Sequence, residues 1–153
     1  MIIRKKIIIV FLFLVCACGY TPVYKGMNNV NFEIELINLS GDRLINQKIK
    51  NDLSRYKKID GSKKKLIKLN INSDYEKIGI SKNLAGEHTS YELKVTTTVN
   101  IDSLEQKKQL IFIEKFNMKN ISDKFEQNEY ELTIKDNFAK SIANELITKI
   151  SQF

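Results

Sequence analysis

The sequence predicts an α+β domain: a four-stranded, mainly antiparallel sheet with two helices packed on one face, in the order β-α-β-β-β-α, behind a lipoprotein signal peptide. Three observations carry this. The stretch Tyr91, Leu93, Val95, Thr97, Val99 and Ile101 alternates strictly with polar residues, as a strand with one buried face must. Two other stretches repeat their apolar residues every three to four positions, the signature of a helix with one buried stripe. And the chain opens on a short basic segment and an apolar run that ends in its only two cysteines, Cys16 and Cys18. The resulting division is residues 1–17 as signal peptide, 18–29 as lipidated tether and 30–153 as a single α+β domain.

Arg4, Lys5 and Lys6 precede the nine-residue apolar run from Ile7 to Val15. A membrane-spanning helix needs about 20 apolar residues, so this run is an export signal rather than a transmembrane anchor. Val15, Cys16, Ala17 and Cys18 resemble the bacterial lipobox, in which an aliphatic residue and two small ones precede an invariant cysteine. A cut before Cys16 would leave bulky Val15 beside it, so Cys18 is the lipidation site. The lipobox resemblance implies a diacylglycerol on the thiol and a further acyl chain on the new amino group. Several chains together anchor stably where one does not. Gly19 stands where the inner-membrane retention signal has Asp, which implies the outer membrane, on its periplasmic side. The rival reading is an ordinary signal peptide with incidental cysteines.

After a tether containing Pro22, Val30, Phe32, Ile34 and Leu36 alternate as a first strand, broken at Gly41 and Asp42. Asp42 is the expected N-cap of a helix from Arg43 to Tyr56, with Leu44, Ile45, Ile49, Leu53 and Tyr56 as its apolar stripe. A lysine-dense run from Arg55 to Lys65 turns at Gly61. The second strand holds Ile67, Leu69, Ile71 and Tyr75 in one parity and Ile78 and Ile80 in the other, which predicts a bulge near Glu76 and Lys77. A loop from Ser81 to His88 leads into the strand of strict alternation. The fourth strand runs roughly from Gln109 to Met118, with Leu110, Phe112 and Phe116 on one face and Ile111 and Ile113 on the other, the latter two read either as a small apolar contact or, the favoured expectation, as covered by the protein's own loops. Asn128 and Glu131 form a possible capping box for the longest helix, whose apolar face includes Leu132, Phe138, Ile142, Leu146 and Ile150. The 136 residues from Cys18 onward should bury about two-thirds of their unfolded surface, enough to fold without staples.

The net charge is +7, but Arg4, Lys5 and Lys6 belong to the signal; the rest carries 22 basic against 18 acidic residues, a net of +4. Of the 25 cations 22 are lysine, and Lys, Ile and Asn together make 59 of 153 residues, a compositional bias. Base recognition favours the arginine fork, so no nucleic-acid partner is expected. No phosphate-binding glycine loop, GxSxG or HExxH occurs, and one histidine with at most one thiol after the signal leaves no metal site. Glu33 and Glu35 are expected on a solvated strand face, and His88 in an exposed loop. No cofactor and no enzymatic activity are expected. An envelope hydrolase would have to pair Ser90 with His88, the only conceivable nucleophile and base.

Beyond the lipobox, Cys18, Gly19, Tyr20, Thr21, Pro22, Val23 and Tyr24 resemble the start of the LPS-assembly lipoprotein LptE family, whose mature chains often begin Cys-Gly-aromatic-X-Pro-X-Tyr. Thr89 to Val95 resembles that family's central strand, and Ala143 to Ile150 the end of its last helix. The element order agrees as well. The resemblance implies a plug-like partner of the LptD-type outer-membrane β-barrel that assists lipopolysaccharide insertion into the outer leaflet. Barrel lumens are polar, so Lys94, Thr96, Thr98 and Asn100, the polar row of the third strand, are the candidate barrel-facing residues. The family's cations near the loops before the central strand and the last helix have Lys82 and Lys124 as their nearest counterparts, the candidate lipopolysaccharide contacts, although Leu84 and Gln127 stand closer in register. Lys57, Lys58, Lys63, Lys64 and Lys65 are a second candidate, against their reading as a solvated charge run. The alternative function is an outer-membrane lipoprotein scaffold of another envelope complex, such as β-barrel assembly.

Overall fold

Asp42 ends the first strand and starts the first helix. Its side chain accepts from the backbone N–H groups of Leu44 and Ile45, both at 3.0 Å, filling the N-cap role expected of it. The preceding Gly41 has φ +88°, and a Cβ there would lie 2.1 Å from the Ser73 carbonyl oxygen, so only glycine fits the corner. The computed structural model describes residues 30–152 apart from Asp60, Ser62 and Glu105. The signal peptide, Cys18 and the tether up to residue 29 lie outside the described residues.

The elements are β1 (Phe32–Gly41), α1 (Arg43–Leu53) continued by a 3-10 turn (Ser54–Tyr56), β2 (Lys65–Lys82), β3 (His88–Ser103), β4 (Lys107–Lys119) and α2 (Lys124–Ile150). The strands form one sheet in the order β1-β2-β3-β4. β1 runs parallel to β2 through the α1 crossover, while the β2–β3 and β3–β4 pairs are antiparallel hairpins. The expected α+β order and the mainly antiparallel sheet with both helices on one face are therefore what the chain adopts.

The core lies between that face and the helices. Phe32 and Ile34 of β1, Ile67, Leu69 and Ile71 of β2, Leu93, Val95, Val99 and Ile101 of β3 and Phe112 and Met118 of β4 are buried. They meet Ile45, Ile49 and Leu53 of α1 and Ile134, Phe138, Ala139, Ile142, Ala143, Leu146 and Ile150 of α2. One polar pair interrupts this row: Ser73 and Thr97, opposite each other in the register, share a buried hydroxyl–hydroxyl bond of 2.9 Å.

Four local expectations need correction. The β2–β3 register runs unbroken through Glu76 and Lys77 and shifts only between Gly79 and Lys82, so Ile78 and Ile80 are exposed instead of crossing to the core. The last helix starts one turn early, capped by Asp123, whose carboxylate accepts from Phe125 and Glu126 N–H; Leu132 is exposed and Glu131 bonds across to β2. Glu33 is buried, because the chain after the 3-10 turn folds back along β1 and Ile59 N–H donates to its Oε2 at 3.1 Å. His88 is no loop residue. It opens β3 with its ring against Gly79 and Tyr91.

Candidate interaction surface

The face of the sheet turned away from the helices is set by strand periodicity. With Leu93, Val95, Thr97, Val99 and Ile101 inward, Glu92, Lys94, Thr96, Thr98 and Asn100 must point outward. The register aligns Lys94 with Glu76 and Lys115, Thr96 with Asp74 and Ile113, Thr98 with Asn72 and Ile111, and Asn100 with Asn70 and Gln109. The four candidate barrel-facing residues thus form the middle row of a three-strand polar field.

Hydrogen bonds organise this field. Lys94 Nζ reaches Glu76 Oε2 at 3.0 Å, and Lys115 Nζ sits 3.3 Å from Glu92 Oε1. Gln109 Nε2 donates to Asn100 Oδ1 at 2.9 Å. Ser40 Oγ donates to Asn72 Oδ1 at 2.8 Å, and Asn72 Nδ2 in turn donates to Asp74 Oδ2 at 2.9 Å. Such cross-strand pairs hold side chains in place and each add only tenths of a kcal/mol up to about 1. Within the field Ile111 and Ile113 are 59% and 58% exposed, so among the described residues no loop covers them, contrary to the sequence expectation. They form an apolar step beside Thr96 and Thr98 on the outer strand β4. That edge carries Lys107, Lys108, Lys115 and Lys119, the residue type that discourages strand-to-strand aggregation.

The two candidate lipopolysaccharide contacts lie at one end of the domain. Lys82 is the last residue of β2, opposite His88, and Lys124 is the first residue of α2. The link between them is local: Asn120 N–H donates to Thr89 O at 2.9 Å and Asn120 Nδ2 to His88 O at 2.8 Å, tying the chain before α2 to the start of β3. Exposed Ile78, Ile80, Leu84 and Phe125 accompany them. Gln127 is buried. With its amide oriented to suit its neighbours, it donates to Ile121 O and Asn120 Oδ1 and accepts from Lys77, so its amide is engaged within the domain. The lysine cluster of residues 57–65 belongs to the opposite end, where Phe32 pairs with Lys65.

A network that sequence reasoning missed fixes α2 to the sheet. Tyr75 Oη donates to Glu131 Oε1 at 2.7 Å, and Lys77 Nζ meets Glu131 Oε2 at 2.6 Å. Lys135 Nζ reaches Asp42 Oδ2 at 2.9 Å while sitting 3.7 Å above the Tyr75 ring. Burial alone would raise the Glu131 carboxyl, but bonds from Lys77 and Tyr75 outweigh it and hold it below the usual carboxylate range. Burial, reinforced by the Glu131 carboxylate, pushes the Tyr75 phenol up. The members come from β2, the N-cap of α1 and α2, so no local motif announces them.

Ser90 and His88 are not assembled as a nucleophile and base. Ser90 Oγ bonds to Ser81 Oγ, whereas His88 Nδ1 is buried and has no hydrogen-bond partner among the described residues. Among the described residues no group of His, Cys, Asp and Glu is placed to hold a metal ion, and no helix is long and apolar enough to cross a membrane.

What the fold and surface define is a small α+β domain whose sheet is packed by helices on one side and presents an ordered polar field on the other. Solved structures align with it. Rare lipoprotein B from Shewanella oneidensis aligns with a TM-score of 0.53 at 15% identity, over 77% of this chain and 95% of that one. A putative lipoprotein from Caulobacter crescentus CB15 gives 0.49 at 13% identity, over 78% and 90%. An uncharacterized lipoprotein B from Nitrosomonas europaea gives 0.48 at 14% identity, over 81% and 87%. No protein-family model matches the chain, and no curated protein matches it by sequence. The chain therefore has the fold of rare lipoprotein B.

Proposed function

We propose that this protein is a non-enzymatic lipoprotein, anchored through Cys18 at the periplasmic side of the outer membrane. There it plugs and helps assemble an LptD-type β-barrel and assists lipopolysaccharide insertion into the outer leaflet. The observation that carries the reading is the sheet face left open among the described residues: a row of Lys94, Thr96, Thr98 and Asn100 with hydrogen-bonded neighbours on both sides and the small apolar step of Ile111 and Ile113. A lumen lined by polar side chains calls for a fixed set of donors and acceptors on its plug, with a limited apolar contact to exclude water. The lipobox, the residues from Cys18 to Tyr24 and the fold shared with a lipoprotein support the same reading.

Lys82 and Lys124 are proposed to meet lipopolysaccharide phosphates, with Ile80, Leu84 and Phe125 alongside for acyl chains. A photo-crosslinking side chain at Thr96 tests the central claim: it should capture a large outer-membrane barrel protein, whereas the same group at Lys48 on α1 should not. Capture of barrel-assembly components from Thr96 would favour the scaffold function instead.

A further inference from the structure

The strand register gathers a second chemically distinct surface at the end of the domain away from Lys82 and Lys124. Phe32 pairs with Lys65, Ile67 with Ser103, and Asp102 with Lys107, so the start of the described domain, the start of β2 and the β3–β4 turn share one end. Lys65 N–H donates to Asn31 O at 3.0 Å, which ties the entering chain to it. The segment after the 3-10 turn lies against the same end of β1, with Lys58 N–H donating to Ile34 O at 3.2 Å. From Arg55 to Lys65 the sequence has six basic residues and one acid. Lys57, Lys58, Lys63 and Lys107 are exposed there, together with Ile59 at 69% and Leu104 at 98%.

We propose that, before the domain enters a barrel, this end docks on the phosphate-bearing face of a phospholipid bilayer. The proposal rests on the reading of Cys18 as the lipid anchor. Twelve residues separate Cys18 from Asn31, a path of at most about 45 Å even when fully extended. The chain enters the domain at its basic end, and the other end of the sheet lies about 60 Å off along the 18 residues of β2. Attraction of a lysine to an anionic leaflet is worth about fivefold in partition and fades within a Debye length of about 8 Å, so only charges placed at the near end contribute. A tether this short holds the surface at an effective concentration near the millimolar range, where individually weak contacts become occupied. Ile59 and Leu104 supply apolar side chains that enter the headgroup layer beside the lysines.

The test uses the mature lipidated protein in two kinds of vesicle, phosphatidylethanolamine with phosphatidylglycerol and pure phosphatidylcholine. The acetylation rates of Lys57, Lys58 and Lys63 are read by mass spectrometry, with Lys119 at the far end of β4 as reference. The three lysines should react roughly fivefold more slowly on the anionic vesicles, a difference abolished by about 0.5 M salt, while Lys119 is unaffected. Equal rates on both vesicles, with the protein still attached after the salt wash, would overturn the docking surface and leave the anchor standing. Release from both vesicles in salt would overturn the anchor and the docking surface together.

Discussion

Lys135 and Asp42 stand 93 residues apart in the chain, yet the ammonium of one lies 2.9 Å from the carboxylate of the other. The same carboxylate caps α1 and the same ammonium covers the Tyr75 ring, so one ion pair joins both helices to β2. Lys135→Met should cost about 1–3 kcal/mol in urea unfolding, because it strands a largely buried carboxylate. Asp42→Asn keeps the cap and removes the charge; combined with Lys135→Met it should recover part of that loss. A double variant no more stable than Lys135→Met alone would mean that the pair is not what Lys135 contributes.

Acid should expose the same network. Burial would raise the Asp42 carboxyl, but the Ile45 and Leu44 amides and the Lys135 ammonium outweigh it and hold it below the ordinary range, as Lys77 and Tyr75 do for Glu131. A carboxyl with a depressed folded pKa binds fewer protons folded than unfolded. Its stabilisation is complete above the unfolded value near 4 and is lost as pH falls through the folded value. The urea midpoint should change little between about pH 7 and 5 and drop below about pH 4, with a shallower drop in Lys135→Met.

Gly79 and Gly41 should respond differently to alanine. A Cβ at Gly79 meets the His88 ring at 2.1 Å, so Gly79→Ala should cost about 1–3 kcal/mol and His88→Ala should relieve most of it. At Gly41 the obstacle is the Ser73 backbone and φ is positive, so Gly41→Ala should be severe and without a side-chain suppressor. Thermal melts of Gly79→Ala, of Gly79→Ala combined with His88→Ala, and of Gly41→Ala check this.

Much of this fold could be read locally. The alternation from Tyr91 to Ile101 fixed which face of β3 is inward, and with it the row of Lys94, Thr96, Thr98 and Asn100, because strand periodicity permits only two answers. What failed was long-range. Ile78 and Ile80 suggest a bulge at Glu76 only if every isoleucine must be buried, and these two are not. Asn128 and Glu131 fit a capping box on paper, but Asp123 stands one turn earlier and Glu131 is taken by Tyr75 and Lys77. The burial of Glu33 depends on Ile59 returning beside β1, which no window of sequence around either residue reveals.

The apolar step on the open face separates folding from partner binding. Ile113→Glu should change stability by no more than about 1 kcal/mol, since the side chain is already exposed on an outer strand. It should nevertheless lower recovery of the barrel partner at least about tenfold by placing an unpaired charge in the contact. A variant that melts normally and still binds normally would remove Ile113 from the contact.

Cys18→Ala should leave a folded domain that is poorly retained in membranes, because among the described residues the core between the sheet and its helices is built from residues 32–150. Fractionation of the variant measures this directly. Outer-membrane recovery at the normal level, with the barrel partner depleted, would contradict the anchor.

The central claim is most directly tested by affinity purification of the lipidated protein in detergent, with its stoichiometric partners identified by mass spectrometry. The account predicts one large LptD-type outer-membrane β-barrel at near-equimolar yield. Barrel-assembly components in its place, or no stoichiometric partner, would contradict it.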